Sequence, residues 1–175
     1  PALRQKPPAL SPGRCGQRVD ASRRAASDVC VATISADGRS IVIAEAADAA
    51  AAEITWYDAE FHEQGTARAG ADPRSIATDA EGRYAAIATA GSAPAAAMLF
   101  DRLGNPVATF DGAGEVREMA FGVTRAAVYA LAADGVLTAF TADGKSIWRM
   151  TTLADAHRPR LFADALASQL WVSGG

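Results

Sequence analysis

One stretch of sequence returns again and again along this chain, and that recurrence limits the folds open to it. Val31-Ala-Thr-Ile-Ser-Ala-Asp-Gly-Arg-Ser-Ile-Val-Ile-Ala lies over Ser75-Ile-Ala-Thr-Asp-Ala-Glu-Gly-Arg-Tyr-Ala-Ala-Ile-Ala and over Arg117-Glu-Met-Ala-Phe-Gly-Val-Thr-Arg-Ala-Ala-Val-Tyr-Ala. A fourth copy starts at Arg160-Leu-Phe-Ala-Asp-Ala and runs to Leu170-Trp-Val-Ser. The Arg after the turn recurs as Arg39, Arg83 and Arg125, and Tyr57-Asp58 returns as Phe100-Asp101. A fixed period of roughly 40–45 residues marks a stack of like units, each too small to bury its own apolar faces.

Each unit reads as β-structure. Asp37-Gly38, Glu81-Gly82, Asp134-Gly135 and Asp143-Gly144 are tight-turn pairs, in which Gly takes the positive φ that hairpins need. Short apolar runs lie between them, of a length that suits strands. The first unit gives strands at 29–35, 40–45, 53–58 and 64–69. The second gives 75–79, 84–89, 95–101 and 106–110, and the third 117–121, 126–132, 135–141 and 145–151. The fourth supplies 160–164 and 168–173. The stretch from Ala46 to Glu53 is rich in helix formers, yet its counterpart Gly91-Ser92-Ala93-Pro94 cannot be helix interior. Residues 46–52 are therefore expected to form a long loop.

This pattern resembles the β-propeller superfamily over about residues 28–175. Ala71-Asp72-Pro73-Arg74-Ser75-Ile76-Ala77 with Ala80-Glu81-Gly82-Arg83 looks like the strand-turn-strand of surface-layer-type and lactonase-like propellers. Ala132-Ala133-Asp134-Gly135-Val136-Leu137-Thr138-Ala139-Phe140 with Asp143-Gly144-Lys145-Ser146-Ile147-Trp148 looks like a quinoprotein-like repeat, in which the Trp docks blade on blade. Ala139 and Trp148 stand one residue closer than in that family, and the other units carry Gly65 and Ala108 in place of Trp148. The Gly-His and Trp-Asp pairs of a WD-repeat are absent from the sequence. The resemblance implies an all-β fold of four-stranded antiparallel blades, at about 28–70, 71–113, 114–156 and an incomplete 157–175. It also implies an exported bacterial protein. Three and a half blades do not close a ring. Further polypeptide beyond Gly175, or a second copy, is expected to complete it.

Residues 1–27 form a separate arm rich in proline. Up to residue 24, Arg4, Lys6, Arg14, Arg18, Arg23 and Arg24 stand against Asp20, a net +5 that leaves −8 on the rest of the chain. A basic arm before an acidic body is either a solvated linker or a grip for an acidic partner or membrane face. The chain opens at Pro1 with neither Met nor an apolar signal core, which reads as a processed or trimmed chain. Mild overall acidity argues against nucleic acid as the partner. The longest uncharged stretch, Tyr84 to Phe100, is mostly alanine and broken by Gly and Pro, so no transmembrane segment is expected. Cys15 and Cys30 form one disulfide or remain two unrelated thiols.

Three arginines are the candidate binding residues. Arg74, Arg117 and Arg160 recur at spacings of 43, each expected just before a unit's innermost strand. In a propeller that puts them on one face near the central opening, where repeated positive charge focuses a potential and guanidinium groups fork onto carboxylate or phosphate. The same residues also read as exposed arginines paired with a neighbouring acid such as Asp72 or Glu115. Arg39, Arg83 and Arg125 read as solvated turn residues, and Asp58 and Asp101 as acceptors for nearby backbone N–H groups. His62 and His157 stand single, and Trp148, Trp171 and Phe162 read as packing between blades. No nucleophile, phosphate-binding or zinc motif appears in the sequence.

The first functional expectation is thus a non-catalytic scaffold that binds protein, takes an acidic partner or anion at the arginine face, and calls for no cofactor or metal. The second, implied by the resemblance, is a lactonase-like or quinoprotein-like enzyme. It would hold a central metal or quinone with inward residues such as Ser75, Thr78, Asp79, Glu118 and Asp164. A third is a structural subunit anchored by its basic arm.

Overall fold

Turns come first in the folding logic of this chain. Gly38, Gly82, Gly104, Gly135 and Gly144 all have positive φ, each between two strands. The computed structural model describes residues 30–48, 50–90, 97–122, 128–152, 160–164 and 169–173, with the side chains of Cys30 and Asp164 excepted. The arm expected over 1–27, Cys15, Arg125 and His157 lie outside the described residues, as does the side chain of Cys30.

The described residues form fourteen strands. Blade 1 is β1 (Cys30–Ile34), β2 (Ser40–Ala46), β3 (Ala51–Asp58) and β4 (Glu63–Gly70). Blade 2 is β5 (Pro73–Thr78), β6 (Tyr84–Thr89), β7 (Ala97–Asp101) and β8 (Pro106–Thr109). Blade 3 is β9 (Val116–Phe121), β10 (Val128–Ala132), β11 (Val136–Phe140) and β12 (Ser146–Thr151). A two-stranded sheet, β13 (Arg160–Asp164) and β14 (Gln169–Ser173), follows. Every sheet is an antiparallel meander in chain order. The first strands β1, β5, β9 and β13 pack side by side, so the sheets fan out from a common inner edge. The fold is all-β, with about three and a half blades, as the repeat predicted.

Cores lie between sheets, where the apolar faces of neighbouring sheets meet. Val42, Ala44, Ile54 and Trp56 of blade 1 meet Ala85, Ile87 and Phe100 of blade 2. The other face of blade 2, with Ala86, Ala88 and Leu99, meets Met119, Val128, Ala130 and Phe140 of blade 3. Leu131 and Leu137 of blade 3 meet Leu161 of the two-stranded sheet. About a quarter of the chain is alanine, and much of it sits in these seams.

The blades are also tied by polar contacts. The Asp37 N–H donates to the Ala80 carbonyl at 3.1 Å, joining the first turns of blades 1 and 2. The buried Ser75 hydroxyl accepts from the Met119 N–H at 3.0 Å, joining β5 to β9. Gly104 and Gly144 press the third turns of blades 2 and 3 onto the outer strand of the blade before. A Cβ on Gly104 would collide with the Thr66 carbonyl oxygen, and one on Gly144 with that of Thr109.

One expectation needs correction. Residues 46–52 do not form a long loop. Ala46 pairs with Ala52, and the connection shrinks to a tight turn in which the Ala47 and Asp48 N–H groups donate to the Ala51 carbonyl at 2.9 and 3.2 Å. Alanine belongs in a strand here because the seam needs small side chains: Ala44 and Ala52 are fully buried. Phe162 and Trp171 do not face blade 3. They oppose each other on β13 and β14, 57% and 59% exposed, on the face turned away from blade 3. Leu161, one residue before Phe162, makes the contact with blade 3 instead.

Trp148 keeps only part of its expected role. In register, Gly65 opposes Trp56, Ala108 opposes Leu99, and Trp148 opposes Ala139. The positions are equivalent, but in blade 1 the indole sits one strand inward, where Trp56 is fully buried beside Gly65. Trp148 lies in one row with Tyr129 and Ala139, its ring 5.9 Å from that of Tyr129, and stays partly exposed. The sequence reading missed Trp56 because no motif points to it. The signal was the large–small alternation of Trp56 with Gly65 and Ala139 with Trp148.

Candidate functional site

The loops that lead into the inner strands are built alike in blades 2 and 3. The Asp72 carbonyl accepts from the Ala90 N–H at 2.8 Å, and the Glu115 carbonyl from the Ala133 N–H at 2.8 Å. Both pairs are 43 residues apart in sequence. Asp72 holds a positive φ of 60°, and Pro73 behind it is fully buried. The chain is thus fixed just before the strand, and the acid points at the arginine two residues on. Arg74 Nη2 lies 3.0 Å from Asp72 Oδ2, and Arg117 Nη2 lies 2.9 Å from Glu115 Oε1.

Arg160 departs from this pattern. It is the first residue of β13, whereas Arg74 and Arg117 are the second residues of β5 and β9. Its Nη1 reaches Glu118 Oε1 of β9 at 3.2 Å, an ion pair between neighbouring sheets. Burial pushes the Glu118 carboxyl above its usual range, partly offset by the Arg160 charge and hydrogen bond. The three arginines therefore lie at the leading ends of three successive inner strands, each with one carboxylate and each well exposed. A guanidinium has five donors, so each keeps N–H groups for an incoming oxyanion.

The other singled-out residues are held locally. Arg83 pairs with Asp79 at 3.0 Å and Glu81 at 2.9 Å. Arg39 is exposed in the first turn of blade 1, where its N–H donates to Asp37. Asp58 Oδ1 accepts from the N–H groups of Glu60 and His62, and Asp101 Oδ1 from those of Leu103 and Asn105. The exposed His62 ring lies 3.3 Å from Asp58 Oδ2. These bonds hold both aspartates below the usual carboxylate range, chiefly through the His62 N–H for Asp58 and the Asn105 amide for Asp101.

Four of the five polar residues considered for a central enzyme site have structural partners, and the side chain of Asp164 lies outside the described residues. Ser75 accepts from Met119, the Thr78 hydroxyl donates to the Tyr84 carbonyl, and Asp79 accepts from the N–H groups of Arg83 and Tyr84. Glu118 is engaged by Arg160. Among the described residues no group of three His, Cys, Asp or Glu is placed to hold a metal ion. Among them, too, no helix is long and apolar enough to cross a membrane.

No family model and no curated protein matches the chain. Solved structures do. The C-terminal WD40 domain of Sif2 is similar at a TM-score of 0.64 and 12% identity, over 82% of this chain and 40% of that one. A gluconolactonase, XC5397 from Xanthomonas campestris, is similar at a TM-score of 0.57 and 15% identity, over 82% of this chain and 53% of that one. The chain thus spans roughly half the length of these structures or less. Four-stranded meanders fanned about a shared inner edge, together with these likenesses, show that the chain has the fold of a β-propeller.

Proposed function

We propose that the chain is a non-catalytic protein-binding module that grips an acidic segment of its partner at the arginine rim. The observation that carries this reading is the row Arg74, Arg117 and Arg160, in which each exposed guanidinium is held by one carboxylate. Exposed ion pairs contribute only about 0–1 kcal/mol, so a partner's carboxylate replaces Asp72 or Glu115 at little cost. Successive arginines on one edge then take successive carboxylates, and the affinity falls as salt rises. The enzyme reading rests on the likeness to a gluconolactonase, while its inward polar candidates are occupied by backbone and inter-blade bonds.

A labelled oligoglutamate peptide tests the reading by fluorescence anisotropy. The triple variant Arg74→Glu, Arg117→Glu, Arg160→Glu is expected to bind at least tenfold more weakly. Asp72→Asn with Glu115→Gln, which frees two guanidinium groups, is expected to bind more tightly. Unchanged affinity in the triple variant overturns it.

A further inference from the structure

Three carboxylates hold the rim arginines, and one of them is placed unlike the other two. Asp72 and Glu115 each stand two residues before their arginine, and their side chains are 42% and 64% exposed. Glu118 stands on β9 itself and holds the arginine of the next sheet, with its side chain 25% exposed. Register accounts for the difference. Glu118 is opposite Leu131, and Leu131 is opposite Leu137, so one row across blade 3 leads from the carboxylate to two buried leucines. Leu161, next to Arg160 on β13, belongs to the same apolar cluster. A carboxylate at the margin of such a cluster loses hydration, and its charged form depends on the cation beside it.

The surrounding elements supply one such cation. Of the strands packed against β9, β10 carries Tyr129, β6 carries Tyr84, β5 carries Arg74 and β13 carries Arg160. The side chain of Asp164, also on β13, lies outside the described residues. Arg74 is held by Asp72, and Arg117 of β9 itself by Glu115. Asp134, in the turn that joins β10 to β11, accepts from the Val136 N–H. Among the described residues, Arg160, at 3.2 Å, is the cation in ion-pair contact with Glu118.

We propose, on the reading that the arginine rim is the binding site, that Glu118 gates its third position. While ionised it holds Arg160, and once protonated it leaves that guanidinium to an acidic ligand. Asp72 and Glu115 need no proton to let go, because their exposed pairs contribute little and a ligand displaces them directly. Burial of the Glu118 carboxyl raises it above its usual range, against the pull of the Arg160 charge, and so moves the exchange toward neutral pH. Proton uptake removes a negative charge from beside the rim and an acceptor from Arg160, so affinity for an acidic ligand rises as pH falls. The coupling is reciprocal: a bound acidic group that competes for Arg160 makes Glu118 easier to protonate.

Fluorescence anisotropy with a labelled oligo(cysteic acid) peptide tests the gate, because sulfonates stay ionised throughout the range used. Every protein in the series carries His157→Gln, which removes the histidine three residues before Arg160. The affinity is expected to rise about threefold or more as pH falls from about 7.5 to about 5. Adding Glu118→Gln is expected to abolish the rise and to hold the affinity, at every pH, within about twofold of the low-pH value. Adding Arg160→Gln removes the rise by taking away the gated group. Adding Arg74→Gln weakens binding and leaves the rise in place. A flat affinity before these additions, a rise that survives Glu118→Gln or Arg160→Gln, or a rise lost in Arg74→Gln would overturn the gate and leave the rim standing. No binding at any pH would overturn the rim and the gate together.

Discussion

Gly104 of blade 2 rests against the Thr66 carbonyl of blade 1 so closely that no side chain fits between them. Gly144 repeats the contact on Thr109, one blade further on. These glycines serve two needs, a positive φ and a close approach, whereas Gly38 serves only the first: nothing lies within 4 Å of a Cβ built there. Gly38→Ala is therefore expected to cost about 1–2 kcal/mol, the penalty of the left-handed backbone. Gly104→Ala and Gly144→Ala add a collision with neighbouring backbone and are expected to cost about 2–4 kcal/mol. Urea titration measures all three. Equal losses would mean that the blades do not meet at these turns.

Ser75 is the polar link between inner strands. Ser75→Ala strips the acceptor from a buried Met119 N–H, and such an orphaned donor costs about 1–3 kcal/mol. Ser75→Thr keeps the hydroxyl and is expected to retain most of the stability. The midpoint of chemical unfolding separates the two variants. An unchanged midpoint for Ser75→Ala would remove this bond from the account of how blades 2 and 3 are held.

Acid should weaken the fold through its turns. Asp37, Asp58, Asp101 and Asp143 are all held below the usual carboxylate range, chiefly by the Ser35 hydroxyl, the His62 N–H, the Asn105 amide and Lys145 respectively. Their folded pKa values lie below the unfolded ones. Their stabilisation is complete above the ordinary carboxylate range near ~4 and is lost as pH falls through the folded values. Glu118 has the opposite sign. Burial raises its pKa, so its contribution favours the fold at low pH and fades as pH rises through the raised value. Four groups against one predict a melting temperature that falls between pH 5 and pH 3. Asp101→Asn should make that fall shallower, and a melting temperature flat across this range would contradict the assignment.

What the sequence discloses is what each unit decides for itself. Turn pairs such as Asp37-Gly38 and Asp143-Gly144 need no neighbour to be recognised, and the strands between them follow by length and apolarity. The aspartates that bond turn backbone, Asp58 and Asp101, are readable for the same reason. What depends on the adjacent sheet is not. The strand nature of Ala51 and Ala52 comes from a seam that favours small residues over helix propensity. The docking role of Gly104 comes from a carbonyl 38 residues earlier in the chain. A spacing of 43 aligns Arg160 with Arg117, but the residue two before it is Arg158 and not an acid, and the last arginine pairs across to Glu118. The acid two residues before Arg74 and Arg117 was visible in sequence; the inter-sheet pair was not.

The second strand of blade 2 turns Ala85 toward blade 1 and Ala86 and Ala88 toward blade 3, so small side chains line both of its seams. Where a neighbouring sheet meets a methyl group rather than a long side chain, the two backbones come closer together, as thin stones do near the centre of an arch. Bulkier residues at the three alanines would part those backbones and alter how many such sheets a full turn could hold.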